Sequence, residues 1–82
     1  MGEILGLNNI YDGETVCVTV IETEGSIRRR FMDIGLTEGT EIKCVGVSPM
    51  GDPKAFLIRG AVIALRCDDC RDIKVVRAER LI

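Results

Sequence analysis

Between Ser26 and Thr40 the chain reads SIRRRFMDIGLTEGT, and this stretch limits the fold more than any other. Ile27, Phe31 and Ile34 recur at i, i+4 and i+7, one apolar stripe of a helix. Ser26 is placed to cap the start, its hydroxyl accepting a backbone N–H. Gly35 stands where a helix ends on a residue of positive φ, and Leu36 follows where it can fold back on the last turn. Gly39 supplies a second turn before Thr40. This is the one convincing helix in the chain. A helix this short is marginal alone in water, so its stripe must cover something. Its neighbours on both sides are β-rich, and the expectation is a helix that closes a sheet.

The strands are read from period-two alternation and turn residues. Gly2 to Asn9 reads as an irregular lead-in with Ile4, Leu5 and Leu7 as apolar anchors, and Tyr11-Asp12-Gly13 as a turn. Glu14 to Glu22 is the first expected strand, with Val16, Val18 and Val20 on the core face and Thr15, Cys17 and Thr19 on the other. Thr40 to Val47 is the second, with Ile42 and Cys44 inward. Pro49 and Pro53 each remove a ladder donor, so Ser48 to Pro53 is a loop. Lys54 to Arg59 and Ala61 to Arg66 are two further strands about a tight turn at Gly60. Cys67 to Arg71 reads as a single helical turn, Asp72 to Arg77 as the last strand with Ile73 and Val75 inward, and Ala78 to Ile82 as a tail. The connections are too short for parallel crossovers. The expected fold is mainly β: a small antiparallel barrel with one short helix between its first and second strands, one domain spanning residues 1–82.

Composition removes several classes of function. The net charge is −2 with 11 Lys and Arg against 13 Asp and Glu, which opposes binding to nucleic acid or to anionic lipid. No stretch reaches the roughly 20 apolar residues of a membrane helix, and the first ten residues lack a signal-peptide pattern. The expected location is cytoplasmic, with reduced thiols. Histidine is absent altogether, which takes away the commonest general base and nitrogen ligand. No Ser, Asp or Lys arrangement forms a catalytic set, and the expectation is a protein that is not an enzyme and holds no cofactor.

Three constellations remain. Arg28-Arg29-Arg30 is the sharpest charge feature, but successive helical residues point about 100° apart, so the three do not share one direction. They read as a solvated helix face, with an acidic protein partner as the rival, and Asp33 can pair with Arg29. Cys67-x-x-Cys70 has the spacing of a metal or redox pair. Only Cys17 and Cys44 could complete a four-thiolate site, from different strands, and Asp68 and Asp69 raise the thiol pKa values. Cys44 and Cys70 read more simply as small core residues. Gly46 to Gly51 has the glycine spacing of a phosphate loop, but Asp52-Pro53 follows in place of Lys and Ser or Thr, and the motif fails. Met50 marks the same loop as a recognition surface.

The run Arg29 to Ile42, RRFMDIGLTEGTEI, resembles the signature of FeoA-type proteins. Ser48-Pro49-Met50-Gly51-Asp52-Pro53 is similar to that family's P-x-G-D-P loop, Ala64-Leu65-Arg66 to its ALR strand end, and Ile73-x-Val75 to its closing I-x-V. The likeness runs in order from about Gly13 to Val75. Phe31 replaces a usual Leu, Glu38 a frequent Pro, and Cys70 an inward Ala, while Cys67 falls at a position usually polar.

The resemblance implies an SH3-like barrel with a helix inserted between strands one and two. It further implies a cytoplasmic accessory protein of bacterial ferrous-iron uptake whose partner is FeoB, the membrane transporter, through its cytoplasmic GTPase part. The same barrel occurs in iron-dependent repressors, whose winged helix-turn-helix this sequence lacks. The expected contact surface is Arg28, Arg29, Arg30 and Asp33 with Met50, and self-association is left open. The rival is a thiol-based sensor binding a transition metal, or sensing redox state, through Cys67 and Cys70. A third class is a stand-alone ligand-binding barrel.

Overall fold

The computed structural model describes residues 3–77. Six strands run in chain order: β1 (Ile4–Gly6), β2 (Thr15–Ile21), β3 (Glu41–Val47), β4 (Lys54–Ile58), β5 (Ala61–Leu65) and β6 (Ile73–Arg77). Helix α1 (Gly25–Asp33) joins β2 to β3, and a single turn, α2 (Cys67–Cys70), joins β5 to β6. Every strand pair is antiparallel, in the order β1-β6-β2-β3-β4-β5. The expected β class and the place of the helix both hold, but the sheet is open. Among the described residues β1 and β5 do not pair.

The extra strand is β1. Ile4, Leu5 and Gly6 pair with Val76, Val75 and Lys74, so the expected irregular lead-in is a strand followed by a 3-10 turn at Leu7–Asn9. Leu7 and Ile10 are fully buried and fill the core from this end. Gly2 of that lead-in, and the expected tail from Ala78 to Ile82, lie outside the described residues. The gap between the sheet's ends is spanned by a side chain. Lys54 Nζ donates to the carbonyls of Asn8 at 2.7 Å and Ile10 at 2.9 Å, giving both part-buried acceptors a charged donor.

The core is Leu7, Ile10, Val16, Val18, Ile21, Phe31, Leu36, Ile42, Phe56, Ile58, Leu65, Ile73 and Val75, with Cys44 and Cys70. Three residues expected to pack inward, Ile4, Val20 and Ile27, are exposed. Val18 faces Val75 and Val20 faces Lys74, so Thr19 is an extra residue, a bulge that restarts the alternation. Val20 therefore turns outward and Ile21 inward. The bulge is supported by Thr19 Oγ1, which donates to the Lys74 carbonyl at 3.0 Å.

The helix start also differs from expectation. It begins at Gly25 after Glu24, with no side-chain cap, and Ser26 is an exposed first-turn residue. Its stop is as expected. Leu36 N–H reaches Phe31 O at 2.8 Å and Gly35 N–H reaches Met32 O at 3.0 Å, the paired bonds of a Schellman cap around Gly35 at φ +87°. Leu36 is fully buried beneath it.

Two predictions follow from this packing. Leu7→Ala should lower the unfolding free energy by about 2–5 kcal/mol in urea titration, because it empties a closed site; a loss below about 1 kcal/mol would return the segment to a loose lead-in. The second concerns β2 and β6, which are tied by an ion pair between Glu14 and Arg77. The Arg77 hydrogen bond, then the Tyr11 backbone N–H, hold the Glu14 carboxyl below its ordinary 4.5. That stabilisation is present above pH 4.5 and is lost as pH falls through the depressed folded value. Glu14→Gln should lower stability at neutral pH and flatten its fall on the acid side, read from melting temperatures across pH.

Candidate partner-binding face

Helix α1 has nine residues, and only Phe31 is buried. Ile34, just past its end, packs part-buried against the core, but Ile27 is 36% exposed, so the expected apolar stripe is anchored at one end only. The helix does not seal the sheet; it is presented by it. Two bonds fix how it sits. Arg28, itself exposed like Arg29 and Arg30, donates to the carbonyl of Ile21 at 2.8 Å, a tie from the helix to β2. Arg59, from the β4–β5 turn, donates through Nε to the carbonyl of Gly35 at 2.8 Å. A Cβ on Gly35 would meet Arg59 Cδ at 2.5 Å, so glycine serves there for space as well as for φ.

Arg29, Arg30 and Asp33 remain exposed on the outer side. The pairing of Arg29 with Asp33 that the i, i+4 spacing allows is not made. Met32, 56% exposed, belongs to the same surface and was not singled out from sequence, where it reads as an ordinary helix residue. Beside it, Ile27, Arg30 and Phe31 of α1 face Ala64, Leu65, Arg66, Asp68 and Asp69 across a groove of about 470 Å³.

The loop at Ser48–Pro53 is a second outward element. Gly51 N–H bonds Ser48 O at 2.8 Å and Ser48 N–H bonds Pro53 O at 3.2 Å, which leaves Met50 at the tip, 92% exposed. The loop is pinned to α2. Asp52 Oδ1 accepts from Cys67 N–H at 3.0 Å, and the Cys67 thiol points to Gly51 O at 3.5 Å. Since α2 also lines the groove of α1, the helix, the turn and the Met50 loop are linked in one series.

This geometry defines what the thiols do. Burial, then Asp52, push the Cys67 thiol up; burial, then Cys67 and Asp69, push Cys70 up to about 12. Both stay protonated at neutral pH, whereas nucleophilic attack uses the thiolate. Cys44 is buried and Cys17 half-buried on their separate strands, and among the described residues no three His, Cys, Asp or Glu side chains gather as a metal site. Cys70 packs as core, as its position in sequence implies.

The antiparallel sheet with one inserted helix is a small SH3-like module. A structure described as a prokaryotic SH3 domain protein, FeoA of Stenotrophomonas maltophilia complexed with zinc, has the same fold: TM-score 0.76, 21% identity, covering 87% of this chain and 88% of that one. Residues 5–77 match the model of the FeoA domain, and the chain belongs to the FeoA family. It is 40% identical to the FeoA-like protein of Clostridium acetobutylicum, with a TM-score of 0.84, over 100% of this chain and 96% of that one. It is also 28% identical over 69 residues to the Fe(2+) transport protein A/Fe(2+) transporter FeoB fusion protein of Porphyromonas gingivalis (strain ATCC BAA-308 / W83). That match covers 84% of this chain but only 8% of the fusion protein.

The thiol environment gives a direct test. Iodoacetamide at pH 7.5 should leave native Cys70 unmodified in peptide mass spectra, with labelling rising about tenfold per pH unit as the thiolate fraction grows. Fast labelling of Cys70 at neutral pH would restore a chemical role.

Proposed function

We propose that this protein is a non-enzymatic, cytoplasmic accessory of ferrous-iron uptake that docks on the GTP-binding part of a FeoB-type membrane transporter. The observation that carries the proposal is the presentation of α1. A helix that buries one residue of nine, yet is held by a Schellman cap and by Arg28 and Arg59, is displayed rather than used as core. Arg29, Arg30, Met32 and Asp33 would make the contact, with Met50 as an adaptable apolar tip. The Porphyromonas relative, whose name joins transport protein A to the transporter in one chain, supports the pairing. None of the described helices is long and apolar enough to cross a membrane. Docking would act by binding one conformation of the GTP-binding part better than another, which shifts its population.

A pull-down of the transporter's GTP-binding part by this protein tests the reading. Arg29→Glu and Met50→Asp should each weaken capture by about tenfold, the scale of an interface residue worth 1–2 kcal/mol. Both positions are exposed, so the variants should keep the wild-type melting temperature. Wild-type capture by both would remove the proposal.

A further inference from the structure

Strand β5 is an unguarded sheet edge. The β4–β5 connection is the two-residue turn Arg59-Gly60, with φ of +49° and +85°, so Ile58 and Ala61 form the hydrogen-bonded pair that flanks it. Pairing alternates from there, which directs the N–H and C=O groups of Val62 and Ala64 away from β4. Among the described residues nothing pairs with that side. Natural edge strands are blunted by charge, proline or a bulge. β5 carries none of these: its residues are Ala-Val-Ile-Ala-Leu in unbroken register, and Val62 is 66% exposed. β2 and β3, inside the sheet, are the strands that carry bulges.

The surroundings of the edge describe what fits it. On one face lies the groove between β5 and α1, with Ile27, Phe31 and Leu65 as apolar wall. On the other, Val62 stands opposite the half-exposed Leu57. Both ends are locally positive. At the hairpin end Lys43 and Arg59 outnumber Glu41 around one hollow. At the other, Arg30, Arg66, Arg71 and Lys54 stand against Asp52, Asp68 and Asp69, with Asp68 held by Arg71 at 2.9 Å. This excess stands out on a chain whose net charge is −2. A second copy of β5 would not suit the edge, because antiparallel self-pairing sets one positive end against the other.

The geometry points to β5 as a strand-accepting site for an extended partner segment that is apolar and β-branched at its centre and acidic at both ends. The main-chain groups of Val62 and Ala64 supply the pairing, and the flanking cations supply selectivity. The inference does not rest on the transporter reading; Arg30 of α1 borders both surfaces.

The probe is the synthetic peptide Glu-Glu-Val-Thr-Val-Thr-Val-Glu-Glu, followed by NMR on isotope-labelled full-length protein. Saturable binding should protect the Val62 and Ala64 amides from hydrogen exchange, and these amides should exchange freely without peptide. The double variant Lys43→Glu/Arg66→Glu should bind about tenfold more weakly, and a lysine-flanked version of the peptide should regain that loss on it. Val62→Pro removes an edge donor without touching the β4 ladder and should also weaken binding, with its fold checked by circular dichroism; if it fails to fold, the charge reversal and the exchange data decide. Absence of binding, protection confined to other strands, or unchanged affinity in the double variant would overturn the inference. So would protection of Val62 and Ala64 in a concentration-dependent dimer without peptide, since the occupant would then be a second copy.

Discussion

A single sheet with no second layer has to bury its own apolar face by curling around it, and the rest of this structure answers to that constraint. Strands of five to seven residues supply Val16, Val18, Ile42, Phe56, Ile58, Ile73 and Val75 from one side of the sheet. The bulges in β2 and β3 add local twist, which bends the sheet. The open seam between β1 and β5 would admit water, and it is filled from the chain's own start: Leu7 and Ile10 plug the core, and Lys54 satisfies the carbonyls of Asn8 and Ile10 that the plug partly buries. An apolar residue at 54 would leave those two acceptors without their charge-assisted donor, at the cost of desolvated carbonyls.

Because the seam is closed from within, the helix is free of that task. It contributes Phe31 to the core, Leu36 follows it in, and the rest of α1 faces outward. Its orientation comes from polar ties at its two ends, the Arg28 bond to β2 and the Arg59 bond over Gly35, and not from a broad apolar contact. Such an element can meet a partner without exposing the core, and its position is set by the hairpin that carries Arg59. The β4–β5 hairpin thus serves both surfaces, since the turn that holds α1 also fixes the register of the free β5 edge.

The alternation of Val16 and Val18, the helix stop at Gly35, the inward Ile73 and Val75 and the core placement of Cys44 and Cys70 were all legible in the sequence, because each follows from local periodicity or from one residue's φ. The resemblance of RRFMDIGLTEGTEI to the family signature added the SH3-like topology, which periodicity alone does not supply. What was not legible depends on distant partners. The reversal at Val20 comes from a bulge held by Lys74, far along the chain, while the sequence continues to alternate through it. β1 is three residues long and carries no pattern of its own; it is a strand because β6 has a free side to offer. Ser26 has the right chemistry for a cap two positions too late, since the cap position is Glu24 and Gly25 at φ +73° already begins the helix. Lys54 and Arg59 look like surface charges until the carbonyls they serve are brought to them by the fold.

The same reasoning separates two roles that the Cys67-x-x-Cys70 spacing left open. A cation near a thiol favours the thiolate, and Lys54 does lower both pKa values. Burial is the larger effect at each, and Asp52, Asp68 and Asp69 act in the same direction as burial. Lys54 is also committed to two carbonyls, so it is a fixed structural charge and not a mobile partner for a sulfur. Cys67 instead spends its N–H on Asp52 and its thiol on Gly51 O, both in the loop that ends in Met50. The energetic consequence of losing Cys67 would be a loop less well fixed against α2.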